Sequence, residues 1–600
     1  MVENKNIPNR KDISDELKWK LEKMYENDDL WKKDFDDVKK LTDDFVKYQG
    51  KLGNSSDSLF KALTLQDEIS LKLENVYVYS KMRKDEDNTI TKYQAMTDQA
   101  QGLATFVQSS LSFMVPEILS ISEEKINEFL NTNQGLKLYD FYLKELLRQK
   151  EHILSREEEQ ILAQMGELAQ APKSIYGMIN NADIKFPVIQ DENNEEIEVT
   201  KGRYIKLLES SNQRVRKDAF KALYSSYENQ KNTIGSTLNY SVKKDVLYAK
   251  VRKYSSALEA SLDTDHIPVS VYDNLINAVE EHLPTMYRYV ELRKKALQLD
   301  EVHMYDLYTP IVKDVKIHIP YEEGKDIVKK GLSPLGEEYT QILQKGFDEG
   351  WIDVYENKGK TGGAYSFGTY TSDPYVLLNY QDTVHDVFTL AHEMGHSIHS
   401  YYTHKTQPYI YGSYAIFVAE VASTVNEALL MEYLLNHTED KNKKLYLMNH
   451  YLEQFRGTLY RQTMFAKFEK IIHEKLEKGE ALTSEELCTI YGDLNKLYYG
   501  PNVVIDDEIK MEWARIPHFY NAFYVYKYAT GYSAAIALSQ RILKEGKNAV
   551  KDYVEFLKGG GSDYPINLLK GAGVDMKTTE PIHKALKVFE SLVQEMEKML

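Results

Sequence analysis

Leu17, Leu21, Met24, Trp31, Phe35, Val38, Leu41 and Phe45 follow one another at steps mostly of three or four residues. A helix turns 100° per residue, so this spacing gathers apolar side chains on one face and leaves the intervening charges outside. The pattern predicts helix over 14–48, broken near "YENDDLW". It continues through "SLFKALTLQDEISLKLENVYVYSKMRKDED" and "TKYQAMTDQAQGLATFVQSSLSFMVPEIL", then "EEKINEFLNT", "YDFYLKELLRQK" and "SREEEQILAQMGEL". Proline and glycine interrupt helices, and 15 and 30 copies in 600 residues leave room for long uninterrupted ones. The expected fold is mainly α-helical.

The pattern changes at 182–200, where "ADIKFPVIQDENNEEIEVT" holds two short stretches around a polar turn and reads as a hairpin. Helical spacing returns through about residue 300. "EVHMYDLYTPIV" and "VKIHIP" read as short extended pieces before a helix beginning near Glu322. A boundary near 190 divides the chain into an N-terminal helical region, 1–190, and a second region, 191–600. Nothing resembles a Gly/Ser or Pro-rich linker, so the two are expected to share an extensive interface.

A net charge of −17 argues against a nucleic-acid partner, which selects for basic surface. A single cysteine, Cys488, rules out a disulfide framework and a thiolate metal cluster. It falls in "LTSEELCTIYGDL", a helix expected to start at Thr483 or Ser484, and reads as a buried free thiol. The start of the sequence has no apolar h-region, and no segment reaches the roughly 18 apolar residues that span a bilayer. No membrane partner is expected, and a cytoplasmic address follows by elimination.

The chemistry concentrates in "LAHEMGHSIHSYY", residues 390–402. On a helix, His392 and His396 stand one turn apart on one face, and Glu393 sits beside them. Two imidazoles and a carboxylate suit zinc with one position left for water, and the glutamate then serves as general base. Three fixed letters also arise by chance, so the reading needs a third ligand. "YAIFVAEVASTVNEALLMEYLL" is a second helix, carrying Glu420, Glu427 and Glu432. Glu420 lies in an apolar stretch where an unpaired carboxylate would be costly. Glu427, two turns on, shares its face and could orient a ligand imidazole. Spacing alone leaves these two nearly even as the third ligand. His399 offers an alternative triad with His392 and His396, but a straight helix presents three such rings poorly to one ion, and no glycine follows His396 to bend it. His385, His399 and His404 read as ordinary polar or supporting residues. Gly395 lowers helix propensity inside the motif and suits close packing.

With "GKTGGAYSFG", "LAHEMGHSIHS", "FVAEVASTVNEALL", "IPHFYNAFYVYKYATGYSAA" and "GGGSDYPINLLKGAGVD" in this order, the sequence resembles the M3 family of zinc metallopeptidases, and within it oligoendopeptidase F. The resemblance is strongest over about 351–570. It implies a two-lobed helical molecule with a deep substrate channel, a small β element near the active site, and short peptides as substrates. It also makes 191–600 the catalytic region. Its ligands fall on His392, His396 and Glu420, and its general base on Glu393.

Peptide hydrolysis develops a negative oxygen that needs donors besides the metal. "IPHFYNAFYVYKYATGY" crowds His518, Tyr520, Tyr524, Tyr526, Tyr528 and Tyr532 together, although a tyrosine stripe is more often packing. The resemblance implies a histidine and following tyrosines from this segment. His518 matches the histidine. Tyr528 is the preferred oxyanion donor and Tyr524 the second, four residues apart and able to share a face. Gly362 and Gly363 in "KTGGAYSFG" leave room for close approach, and the resemblance implies an edge strand that pairs with extended substrate. "KGGGSDYP" reads as a loop.

The expected activity is zinc-dependent cleavage of internal bonds in short unstructured peptides. The rivals are an exopeptidase of the same fold and a peptide-binding protein with a structural metal. No G-x-S-x-G elbow supports a serine peptidase, and Cys488 has no context for a cysteine one. The sequence leaves the oligomeric state open.

Overall fold

The computed structural model describes residues 7–312, 315 and 317–600. The expected extended piece at 315–320 therefore lies partly outside the described residues, as does the start of the chain at 1–6. The fold is mainly α-helical with a few small sheets, as the scarcity of helix-interrupting residues predicts. By contacts the chain divides into two compact units. One comprises 1–151, 317–433 and 538–573; the other comprises 152–316, 434–537 and 574–600.

The first unit opens with helices Asp28–Val46, Ser56–Glu86 and Thr91–Leu111. Asn27 and Ser55 cap the first two by accepting main-chain N–H groups that lack partners in the first turn. Trp31, Phe35, Val38 and Phe45 form the buried stripe of the first helix. They meet Leu59, Leu63, Val76 and Tyr79 of the second and Leu103 and Val107 of the third. Upstream of Asn27 the expected helix is replaced by short 3₁₀ turns. The reason is a competing use of the main chain. Lys20 N–H donates to the Gly350 carbonyl at 2.8 Å, and the Leu17 carbonyl accepts from Val354 N–H at 3.0 Å. Those groups are unavailable to a helical ladder.

A three-stranded sheet sits on this core. β4 (Ile352–Asp353) runs parallel to β6 (Tyr375–Leu377), and β5 (Tyr365–Phe367) pairs antiparallel with β6 on its other side. Tyr375 and Leu377 of β6 belong to the helical core. β5 is thus an edge strand, as the glycine-led segment was expected to be. Gly363 has φ +83°, and the Asn379 amide donates to the Thr361 and Gly363 carbonyls at 3.1 and 2.8 Å, fixing the turn that delivers β5.

The second unit carries the expected hairpin, β1 (Val188–Gln190) with β2 (Glu196–Glu198), and a short parallel pair, β3 (Val302–His303) with β7 (Val503–Val504). Its helical core holds buried and half-buried ion groups. Asp306 holds Arg216 at 2.7 Å, Glu453 is shared by Arg293 and Arg456, and Glu512 by Arg461 and Arg515. Cys488 lies in helix Ser484–Tyr499, capped by Thr483 as expected. Its Sγ is 3.4 Å from Met511 Sδ, and burial pushes the thiol pKa up.

Among the described residues no single helix is long and apolar enough to cross a membrane.

Candidate metal centre

The motif helix runs from Val384 to Thr406. Its start is fixed by a reciprocal cap, in which Thr383 Oγ1 accepts Asp386 N–H and the Asp386 carboxylate accepts Thr383 N–H. Val384, Val387, Phe388, Leu390, Ala391, Met394 and Ile398 are buried and seat the helix. The Glu420 helix, Ile416–His437, lies against it.

Gly395 makes that approach possible. A Cβ at this position would stand 2.6 Å from Ser423 Cα and 2.9 Å from the Ala422 carbonyl, both main-chain atoms of the Glu420 helix. Beside this contact the Asn426 amide donates to the Ala391 carbonyl at 2.9 Å, and its oxygen accepts Tyr339 OH at 2.8 Å. The two helices are locked in register at the level of the motif.

Three donor atoms converge there. His392 Nε2 and His396 Nε2 are 3.2 Å apart, and Glu420 Oε2 is 3.4 and 3.6 Å from them. Four ligands at zinc distances of about 2.0–2.1 Å in a tetrahedron stand about 3.3–3.4 Å from one another. The three atoms therefore already occupy three corners of such a figure. Among the described residues this is the one group of three His, Cys, Asp or Glu side chains arranged to hold an ion. The electrostatics favour positive charge. Against burial, which lowers it, hydrogen bonds to Glu420 and Glu427 push His392 up to about 10, and hydrogen bonds from both histidines hold Glu420 well below the usual carboxylate range.

Glu427 stands behind the group. Its Oε1 is 2.5 Å from His392 Nδ1, so that a neutral His392 ring would keep its proton on that nitrogen and offer Nε2 to a metal. Spacing alone treated Glu420 and Glu427 nearly alike and the resemblance favoured Glu420; in the structure the two carboxylates have different partners. Glu420 keeps 43% of its side chain exposed, so the cost of burying it is smaller than its apolar neighbours suggest. Glu432 meets Gln540 instead. His399 takes no part in the group. It is buried, stacked on Tyr414 at 3.8 Å, and burial pushes its pKa down to about 3.

Glu393 is buried beside the two histidines. Burial pushes its carboxyl above the usual range; His392, His396 and the Ser366 main-chain N–H pull the other way. Ser366 is the central residue of β5, and its hydroxyl also meets Ser397 of the motif helix at 2.8 Å. The edge strand is thus bound to the motif helix at two successive turns. Periodicity does not single out Ser366, Ser397 or Asn426. Asn426 alone left a signal, as a polar residue inside an apolar helix.

The other expected residues lie together in the second unit. His518, on a 3₁₀ turn at Pro517–Tyr520, stands 6.3 Å from the Tyr524 ring and 6.1 Å from the Tyr528 ring, and those two rings are 5.5 Å apart. Tyr524 and Tyr528 remain partly open, whereas Tyr520, Tyr526 and Tyr532 are buried. Burial lowers the His518 pKa, favouring the neutral ring.

Helices presenting a His-Glu-x-x-His pair closed by a carboxylate from a second helix define a metallopeptidase. Comparison with known proteins gives the particular group. The model of "Peptidase family M3" matches residues 206–588, and that of "Oligopeptidase F" matches 117–186. The oligopeptidase PepF of Bacillus subtilis is 53% identical over 99% of this chain and 89% of its own length. An oligoendopeptidase F homolog of Lactococcus lactis is 42% identical over 99% and 98%. The crystal structure of oligoendopeptidase-F from Enterococcus faecium superposes with a TM-score of 0.75 at 40% identity, covering 95% and 99% of the two chains. The chain belongs to peptidase family M3, in its oligopeptidase F branch.

Proposed function

We propose that this peptidase is a zinc-dependent endopeptidase that cleaves internal bonds of short, unstructured peptides, with His392, His396 and Glu420 as the metal ligands. The observation that carries the reading is the spacing of 3.2, 3.4 and 3.6 Å among three donor atoms from two helices. Zinc suits the nitrogen and carboxylate set. When bound, the ion supplies a Lewis acid that polarises the peptide carbonyl and acidifies a water.

The remaining work belongs to side chains. Glu393 takes the proton from the attacking water and delivers it to the departing nitrogen. Its environment supports the first role, because burial raises the basicity of a carboxylate that Ser366 holds in place. Glu427 keeps the His392 proton on Nδ1. His518, Tyr528 and then Tyr524 are assigned as hydrogen-bond donors to the developing oxyanion, a role that rests on the family's pattern and on the grouping of the three rings.

The test is cleavage of an internally quenched peptide blocked at both ends, with metal content measured in parallel for wild type and Glu393→Gln. The reading expects cleavage by wild type. It also expects one metal ion in each protein and a fall in kcat of about 10²–10⁴-fold in the variant, the usual range for a general base. Failure to cut the doubly blocked peptide, with cleavage of free-ended ones, would favour an exopeptidase. Unchanged turnover in Glu393→Gln would remove the assigned base.

A further inference from the structure

Glu469 is fully buried in helix Arg461–Glu477 of the second unit, and nothing in the proposed hydrolysis uses it. Its Oε1 accepts the Phe523 main-chain N–H at 3.0 Å, while its Oε2 has no hydrogen-bond partner. Phe523 has φ +56°. The left-handed region is a rare place for a bulky side chain, and where one is found the surroundings impose it. Here they do so from two sides. The ring is buried against His473 at 4.4 Å and Tyr272 at 5.8 Å, and Glu469 captures the main chain.

The position of this turn gives it meaning. Phe523 lies between the 3₁₀ turn that carries His518 and the helix, beginning at Tyr526, that carries Tyr528; Tyr524 follows it directly. An extended or right-handed Phe523 would send the chain onward in another direction and part the three rings. We propose that Glu469 is a positioning residue for the His518, Tyr524 and Tyr528 group: its carboxyl holds Phe523 in the left-handed turn that brings the rings together. The inference rests on the reading that these rings serve hydrolysis. The role asks only for an acceptor oxygen at Oε1; burial, opposed by the Phe523 N–H and helped by Asp245, pushes the Glu469 pKa well above the usual carboxylate range, towards the neutral form. Glutamine can reproduce that role and leucine cannot.

The experiment measures kcat and KM on the doubly blocked peptide, with metal content and thermal stability. Glu469→Gln is expected to keep kcat within about threefold of wild type. Glu469→Leu is expected to lose about 10- to 100-fold in kcat, the order of loss for misplaced catalytic groups, with KM and metal content held. Adding Phe523→Gly to the leucine variant is expected to restore part of kcat, because glycine adopts this φ unaided. A second pair leaves Glu469 untouched and guards against a leucine variant that does not fold. Phe523→Asn, which tolerates the left-handed region, is expected to exceed Phe523→Val in kcat although valine is the more apolar. Wild-type kcat in a folded Glu469→Leu, equal damage by glutamine and leucine, no rescue by glycine, or valine exceeding asparagine would each overturn the inference. His518→Ala and Tyr528→Phe separate the two levels. Unchanged kcat in both would overturn the reading of the rings and this inference with it. A loss in both, with wild-type turnover in folded Glu469→Leu, would overturn this inference alone.

Discussion

His392 has two ring nitrogens, and the chain gives each a different task. Nε2 joins His396 and Glu420, while Nδ1 faces Glu427. Removing the outer partner should leave the ligand set intact but free the ring to rotate and to change tautomer. Glu427→Ala is therefore expected to weaken metal affinity by about 10–100-fold, read by competition with a chelator, with little change in the metal-free fold. At this scale the sequence was most informative about His392, His396 and Glu393, because helical spacing alone puts the two histidines on one face with the glutamate beside them. It was least informative about Glu420 and Glu427. Their roles depend on how the second helix is rotated, and that rotation comes from packing.

Packing at the level of elements turns on Gly395. Inside a helix, glycine costs about 1 kcal/mol relative to alanine, a loss offset here by contact with the main chain of the Glu420 helix. Gly395→Ala has to push the helices apart. It is expected to destabilise the fold by about 1–3 kcal/mol in denaturant titration and to weaken metal retention at the same time, since Glu420 moves with its helix. A variant that lost stability yet held metal normally would separate the glycine contact from the metal group. The glycine was visible in the sequence as a residue ill suited to its helix; its partner was not. The start of the chain shows the opposite limit. Residues 14–24 carry a helical pattern, but Leu17 and Lys20 give their main-chain groups to residues 354 and 350, far along the sequence. Local periodicity carries no trace of such a bond.

Over the whole molecule, the two compact units are each assembled from three separate stretches, with no compositional seam where the chain passes from one to the other. Composition and spacing read elements well and read their assembly poorly, because assembly is written in long-range contacts. Stability at this scale also depends on groups far from the metal. Glu74, in the second helix, is pushed up to about 7, first by burial, with hydrogen bonds from Tyr370 and Tyr409 pulling the other way. Its folded pKa lies above the unfolded value, so the folded state holds a proton that the unfolded state has released. Its contribution is complete below about pH 4.5 and is lost as pH rises towards 7. Wild type is expected to lose stability across that interval by up to about 1.4 kcal/mol per pH unit from this group, and Glu74→Gln to remove that slope. Parallel wild-type and variant curves would exclude Glu74 as the source.

The central claim is that one cation is held by His392, His396 and Glu420. Anomalous diffraction from crystals of the metal-loaded protein, collected on both sides of the zinc absorption edge, tests it most directly. The account predicts a single strong zinc peak within bonding distance of both Nε2 atoms and a Glu420 oxygen. A peak elsewhere, or one at the histidines with Glu420 turned away and Glu427 bound in its place, would contradict it.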